Sequence, residues 1–88
     1  MLAGMSNARQ ALVLHLAGAN QPLLIEVAPD AASALAQRLP ELVRAAGIAE
    51  LDAANGARIV VNFAAVQVAH VDSVSVVGQL YGSPPRTR

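Results

Sequence analysis

The first part of the chain alternates apolar and mixed positions with a period of two. Over residues 10–17, three leucines fall on one face of an extended strand, and Val13 and His15 fall on the other. A second alternating run at 23–27 follows a segment at 18–22 that contains Gly, Asn and Pro. These residue types favour turns between strands. The two runs therefore predict a β-hairpin.

The spacing of apolar residues changes to that of a helix after Pro29. Asp30 is the predicted N-cap, because its carboxylate can accept hydrogen bonds from the backbone N–H groups of the first turn. Apolar residues then recur every three or four positions and form one stripe: Leu35, Leu39, Leu42 and Ala46. Pro40 lies within this helix and lacks a backbone N–H, so we expect either a kink or a second short helix that begins there. Gly47 is the predicted end.

A second hairpin and a β-branched segment follow the helix. Asn55-Gly56 is a strong hairpin signal, because both residues tolerate positive φ. It separates a short alanine-rich strand at 48–53 from an alternating strand at 58–63. The valine-rich residues 66–77 favour a further strand. The order β-β-α-β-β-β predicts an α+β fold in which one helix, with or without a kink at Pro40, packs on one face of an antiparallel sheet.

The length of 88 residues predicts a single domain. We expect this domain to occupy 10–82, between a flexible N-terminus at 1–9 and a flexible basic tail at 83–88. The first seven residues lack the basic and apolar regions of a secretory signal, and no apolar run approaches the ~20 residues of a membrane-spanning helix, so we expect a cytoplasmic protein. Abundant Ala, Val and Arg with no Lys is typical of high-GC bacterial coding.

The composition adds an expectation about the second face of the sheet. Hydrophobic residues make up 55% of the chain and charged residues 14%, below the ordinary value of about 25%. One helix covers one face of a sheet, and the other face keeps more apolar residues than a solvated face usually has. We therefore expect this face, or the edge formed by 71–77, to be buried in a homodimer or larger assembly. The candidate interface residues are Val13, Leu24, Val60, Val71, Val74 and Val76. The alternative is a monomer with a surface diluted by alanine and valine.

One group of residues is a candidate for metal or acid/base chemistry. His70 and Asp72, two apart on a strand, point to the same face, and His15 would complete a set of two histidines and one carboxylate. The alternative is a surface histidine beside a carboxylate. The chain has no cysteine, no Gly-x-Ser-x-Gly motif and no glycine-rich phosphate loop. We therefore expect no enzyme activity, no cofactor, and no catalytic or cofactor-binding residues.

The charge balance disfavours nucleic acid as a partner. Within 10–82, three arginines accompany six acidic residues, a net charge of −3. Nucleic-acid binding depends on clustered cations and on exposed aromatic rings, whereas Phe63 is expected in the core. The stretches Val60–Phe63 and Val66–Val71 resemble the closing strands of LytTR-type DNA-binding domains, but the basic loops with which such a domain would contact DNA are missing. No function is transferred from this resemblance.

These observations favour a small non-enzymatic bacterial domain that acts through protein–protein contact, by self-association or with an unidentified protein partner. A second hypothesis is a carrier or sensor of small apolar ligands, with a pocket under a curled sheet and His15, Glu26 or His70 at its mouth. A DNA-binding or transcriptional accessory role is a third hypothesis. No membrane partner is expected.

Overall fold

The computed structural model describes residues 9–74 and 81–82. It confirms the α+β class and the element order. The elements are β1 (Arg9–Leu16), β2 (Leu23–Val27), α1 (Pro29–Ala45), β3 (Ile48–Asp52), β4 (Arg58–Asn62), a 3₁₀ turn (Phe63–Ala65) and β5 (Val66–Val74). Within the described residues the strands form two antiparallel sheets, β2-β1-β5 and β3-β4, where one sheet was expected. Val76, the predicted end of the last strand at 77, most of the N-terminal segment and the tail at 83–88 lie outside the described residues.

The central strand of the larger sheet is β1. Leu12 of β1 lies opposite Ile25 of β2 on one side and opposite Val71 of β5 on the other. The pairing of β1 with β5 is interrupted by a β-bulge, since His15 pairs with Val68 and Leu16 with Val66. The intervening Gln67 is the extra residue. It shifts the alternation of β5 by one position, so that apolar residues on both sides of the bulge contact the core.

The helix α1 begins earlier than predicted. Pro29 occupies its first position, where the missing N–H is one that no intrahelical bond would use. The N-cap is Ala28, whose methyl side chain accepts no hydrogen bond, and Asp30 lies inside the first turn. The prediction of Asp30 as N-cap is therefore wrong. Its carboxylate is still well placed for the positive end of the helix dipole.

The helix is continuous through Pro40, so the alternative of two separate helices is wrong. It ends at Ala45. Ala46 is the C-cap in the left-handed conformation, with φ of 54°, and its backbone N–H donates to the carbonyl of Leu42. Gly47, the predicted end, follows this cap.

One core joins the three-stranded sheet, α1 and the β3-β4 hairpin. Phe63 is 1% exposed, which confirms its predicted burial. The core consists of Leu12, Leu14, Ile25, Val27, Ala32, Leu35, Leu39, Leu51, Ala53, Val61, Phe63 and Val66. Because residues of β3 and β4 belong to this cluster, the hairpin shares with α1 the covering of one face of the larger sheet. The opposite face of the larger sheet is called here the open face.

Candidate functional site

The open face of the three-stranded sheet has an apolar centre and polar surroundings. Val13 of β1 lies between Leu24 of β2 and His70 of β5. Val13 and Ala11 are only 7% and 0% exposed, because the neighbouring strands flank them on both sides. Val13 therefore lies on the face where an interface was expected, but it offers little surface to a partner.

The three candidate metal ligands come together on this face. The rings of His15 and His70 are stacked, with centroids 5.9 Å apart and planes inclined by 21°. The Nδ1 atom of His70 lies 4.0 Å from Oδ2 of Asp72. A metal site needs ligand atoms that converge at about 2.0–2.2 Å from one ion, whereas these rings lie face to face. In residues 9–74 and 81–82, no group of three or more His, Asp or Glu side chains is arranged to hold a metal ion.

An ion pair between β1 and β2 lies at one end of the open face. Nη2 of Arg9 lies 2.8 Å from Oε1 of Glu26, and the two side chains are only 17% and 13% exposed. Nε of Arg9 donates to the same oxygen at 3.2 Å. Arg9 was expected in the flexible N-terminal segment, but it begins β1 and pairs with Val74. The described residues thus contain four arginines and six acidic residues, a net charge of −2 with neutral histidines.

The two edges of the larger sheet differ. The β2 edge is covered, since Tyr81 forms a parallel bridge with Ile25 and its carbonyl accepts from the N–H of Glu26 at 2.8 Å. The carbonyl of Glu26 accepts from the N–H of Ala54. The β5 edge is nine residues long, and its outer side pairs with no strand in the described part of the chain. Unpaired N–H and C=O groups along such an edge are able to pair with a strand of another chain.

An apolar groove lies beside the β5 edge. It has a volume of about 480 Å³ and is open to solvent between α1 and β5. The helix contributes Ala36, Leu39, Pro40 and Val43, and the strand contributes residues 67–71. This groove and the β5 edge together form one continuous surface, called here the edge surface.

The predicted interface residues are distributed over several surfaces. Leu24, Val74 and Val13 lie on the open face, whereas Val71 packs against the core on the other side of β5. Val60 is 59% exposed on the β3-β4 hairpin. These residues do not form one patch. Val68, which is 53% exposed on β5, was not among the candidates.

The hairpin surface around Val60 is charged. Arg58 donates to Oδ1 of Asp52 at 2.9 Å and to Oε1 of Glu50 at 2.7 Å. These hydrogen bonds, and then the negative charges themselves, raise the pKa of the Arg58 guanidinium above its ordinary value. Arg44 also pairs with a carboxylate, that of Glu41. Three of the four arginines in the described residues are therefore ion-paired.

A second apolar cleft, of about 460 Å³, lies between the two sheets. It is lined by Leu14, Leu16, Leu23, Ile25, Ile59, Val60, Val61, Asn62, Ala65 and Tyr81. His15, Glu26 and His70 do not line this cleft, because all three lie on the open face of the sheet, while His70 contributes to the lining of the groove between α1 and β5. Their alternation along the strands places them opposite the leucines that line the cleft.

Comparison with known proteins returns no relative: the chain matches no protein-family model, no curated protein and no solved structure. No helix among the described residues has the length and apolar character needed to cross a membrane.

Proposed function

We propose that this protein is a non-catalytic domain that self-associates through its edge surface. The observation that supports this most directly is the nine-residue strand β5, whose outer side is unpaired within the described residues and lies beside an apolar groove of about 480 Å³. Pairing of β5 with its copy would satisfy both edges at once. The product is a six-stranded antiparallel sheet of order β2-β1-β5-β5-β1-β2.

The groove fits the same arrangement. A two-fold axis perpendicular to the joined sheet keeps both copies of α1 on one side of it. Each groove then faces the helix of the partner, and Ala36 and Pro40 offer compact exposed side chains for a close approach of the two helices. A stable interface buries about 800 Å² on each partner. The strand edge and the helix contact both contribute to this area.

The experiment is a measurement of mass in solution with matched variants. Sedimentation equilibrium of the full chain at micromolar concentration is expected to give about 18 kDa, twice the 9.0 kDa of one chain. Val68→Lys places a charge at the β5 edge and is expected to shift the population to monomer. Val60→Lys makes the same change at a valine of similar exposure on the hairpin, 59% against 53%, and this variant is expected to remain a dimer. A monomeric wild type, or equal effects of the two variants, contradicts the proposal.

A second candidate function is supported by the cleft between the two sheets. Its volume of about 460 Å³ and its lining of aliphatic side chains fit a small apolar ligand such as a medium-length acyl chain. Oδ1 of Asn62 already accepts from the N–H of Ala64, so the amide N–H groups of Asn62 and the hydroxyl of Tyr81 are the groups that would orient such a ligand.

Ligand binding is tested with a fluorescent apolar probe, anilinonaphthalene sulfonate, and with decanoate as competitor. Ala65→Leu adds bulk to the cleft and is expected to weaken probe binding, while Ala64→Leu changes a neighbouring exposed alanine outside the cleft. No saturable binding by the wild type, or equal binding by both variants, excludes this cleft as a ligand site.

No observation on the described residues favours the DNA-binding hypothesis, given their net charge of −2 and their paired arginines.

A further inference from the structure

We infer that the two copies of β5 pair in one register, centred on Val71, in which His70 of each chain lies opposite Asp72 of the partner subunit. This inference rests on the proposed dimer and specifies its interface. It follows from the symmetry of the pairing, the side chains along β5 and the position of the bulge.

Symmetry restricts the possible registers to a few. In a two-fold antiparallel pair, directly opposite residues have side chains on the same face of the sheet. Side chains alternate between the two faces of a strand, so two opposite residues must both have even numbers or both have odd numbers. The centre of the pairing therefore falls on one residue, which lies opposite its own copy across the two-fold axis. His70 is the midpoint of the described strand, and Val71 and Asp72 follow it.

The register centred on Val71 places an imidazole opposite a carboxylate and apolar groups opposite each other. On the open face, His70 lies opposite the partner's Asp72, and Val68 lies opposite the partner's Val74. Each pair occurs twice, once on either side of the axis. Directly opposite side chains that hydrogen-bond to each other or pack against each other stabilise antiparallel strands. On the helix side, Val71 meets its own copy.

The two neighbouring registers are less favourable. A centre at Asp72 places two carboxylates directly opposite each other, which is destabilising. A centre at His70 places histidine opposite histidine and Val68 opposite the partner's Asp72. Both registers therefore lose the complementary pairs.

The bulge gives an independent argument for the same centre. Gln67 interrupts the regular pairing of β5, so regular pairing within the described residues begins at Val68. A centre at Val71 pairs residues 68–74 with their copies, whereas a centre at His70 would pair Ser73 with the partner's Gln67 at the bulge.

The side chains that would meet across the axis are accessible in one protomer. The side chains of His70 and Asp72 are 44% and 64% exposed, and they already lie 4.0 Å apart within the chain. The dimer would thus join two His-Asp pairs into one four-residue cluster on the open face. The stacked His15 would flank each His70.

The absence of cysteine from the natural chain allows a direct test of the register. Two single variants, His70→Cys and Asp72→Cys, are prepared in the full chain, mixed under reducing conditions and then oxidised. Directly opposite residues have Cα atoms about 4.5–5.5 Å apart, within the range of about 4.4–6.8 Å that a disulfide requires. Diagonal neighbours lie about 7–8 Å apart and are poorly placed for a disulfide. Mass spectrometry identifies the linked species.

We expect the mixture to give the disulfide-linked heterodimer as its main oxidised product and each variant alone to give only traces of linked dimer. Efficient linking of His70→Cys alone, or of Asp72→Cys alone, would overturn the register and place the centre at that residue, while leaving the β5 dimer intact. A wild-type dimer with no linked product from any sample would overturn the register and the edge surface together. A wild-type mass of one chain would instead contradict the proposed self-association itself. Circular dichroism of each reduced variant confirms that it is folded.

Discussion

Nη2 of Arg9 lies 2.8 Å from Oε1 of Glu26 and joins the first two strands on the open face of the sheet. Both side chains are more than four-fifths buried, so water screens their attraction less than that of a surface pair. Residue 9 therefore belongs to the folded domain, and the ion pair contributes to the attachment of its first strand.

Removal of one charge from this pair is expected to destabilise the protein. Glu26→Gln keeps the size of the side chain but replaces the carboxylate that pairs with Arg9 by a neutral amide, at an expected cost of about 1–3 kcal/mol in the free energy of unfolding. The control is Glu41→Gln, which breaks the exposed ion pair with Arg44 and is expected to cost less than about 1 kcal/mol. Urea denaturation followed by circular dichroism measures both. Equal costs would show that the pair with Arg9 behaves like a surface ion pair.

The C-cap of α1 offers a stabilising substitution. Ala46 adopts φ of 54°, a left-handed conformation that disfavours a residue with a Cβ atom. Ala46→Gly is expected to raise the free energy of unfolding by about 1 kcal/mol. Ala45→Gly, at the last helical residue, is expected to lower it by a similar amount. A destabilising effect of Ala46→Gly would contradict the left-handed cap.

Gly82 lies where a side chain has no room. A Cβ atom at this residue would lie 2.7 Å from Cβ of Ala53, and the backbone φ is 80°. Gly82→Ala is therefore expected to displace residues 81–82 from the β2 edge and to cost about 1–3 kcal/mol. Gly18→Ala is the control, since its φ is 81° but no atom of the described residues that could obstruct a Cβ lies within 4 Å. In thermal melts, Gly82→Ala should lower the midpoint temperature more than Gly18→Ala does. A decrease for Gly82→Ala that is no larger than that for Gly18→Ala would argue against the close contact with Ala53.

The apolar stripe of α1 is expected to contribute to stability through burial. Leu39 is 5% exposed, and Leu39→Ala should lower the free energy of unfolding by about 2–5 kcal/mol. The same change at Leu23, which is 38% exposed, should cost less. Chemical denaturation measures the free energy of unfolding of both variants. The two values are comparable when that free energy falls with denaturant concentration at the same rate in both. An unchanged stability for Leu39→Ala would show that this face of the helix is not part of the core.

The parts of the fold that could be predicted are those with local causes. The alternation of leucines in β1 and the Asn55-Gly56 turn each depend on neighbouring residues, and both hairpins are present. The N-cap was misplaced because Pro29 is itself well suited to the first helical position, a preference that outweighs the capping ability of Asp30. The division into two sheets depends on which distant strands pair, and alternation within a strand does not specify its partner.

The site was harder to predict than the fold for the same reason. The cleft between the sheets arises only because the β3-β4 hairpin packs against β1 and β2. The bulge at Gln67 could not be predicted from alternation, because Val66-Gln67-Val68 alternates regularly, whereas in the structure Val66 packs in the core and Val68 is 53% exposed. His70 and Asp72 could be predicted to share a face, because they are two residues apart on one strand. The stacking of His15 on His70 depends on the pairing of β1 with β5, which no local pattern specifies. The sequence alone could not show that Val60 and Val71 lie on different surfaces, because this depends on how the two sheets pack together.

The mass of the full chain in solution tests the central proposal most directly. Sedimentation equilibrium at micromolar concentration should give about 18 kDa for the wild type and for Val60→Lys, and a value approaching 9.0 kDa for Val68→Lys. A wild-type mass of 9.0 kDa across this concentration range would contradict self-association through the edge surface.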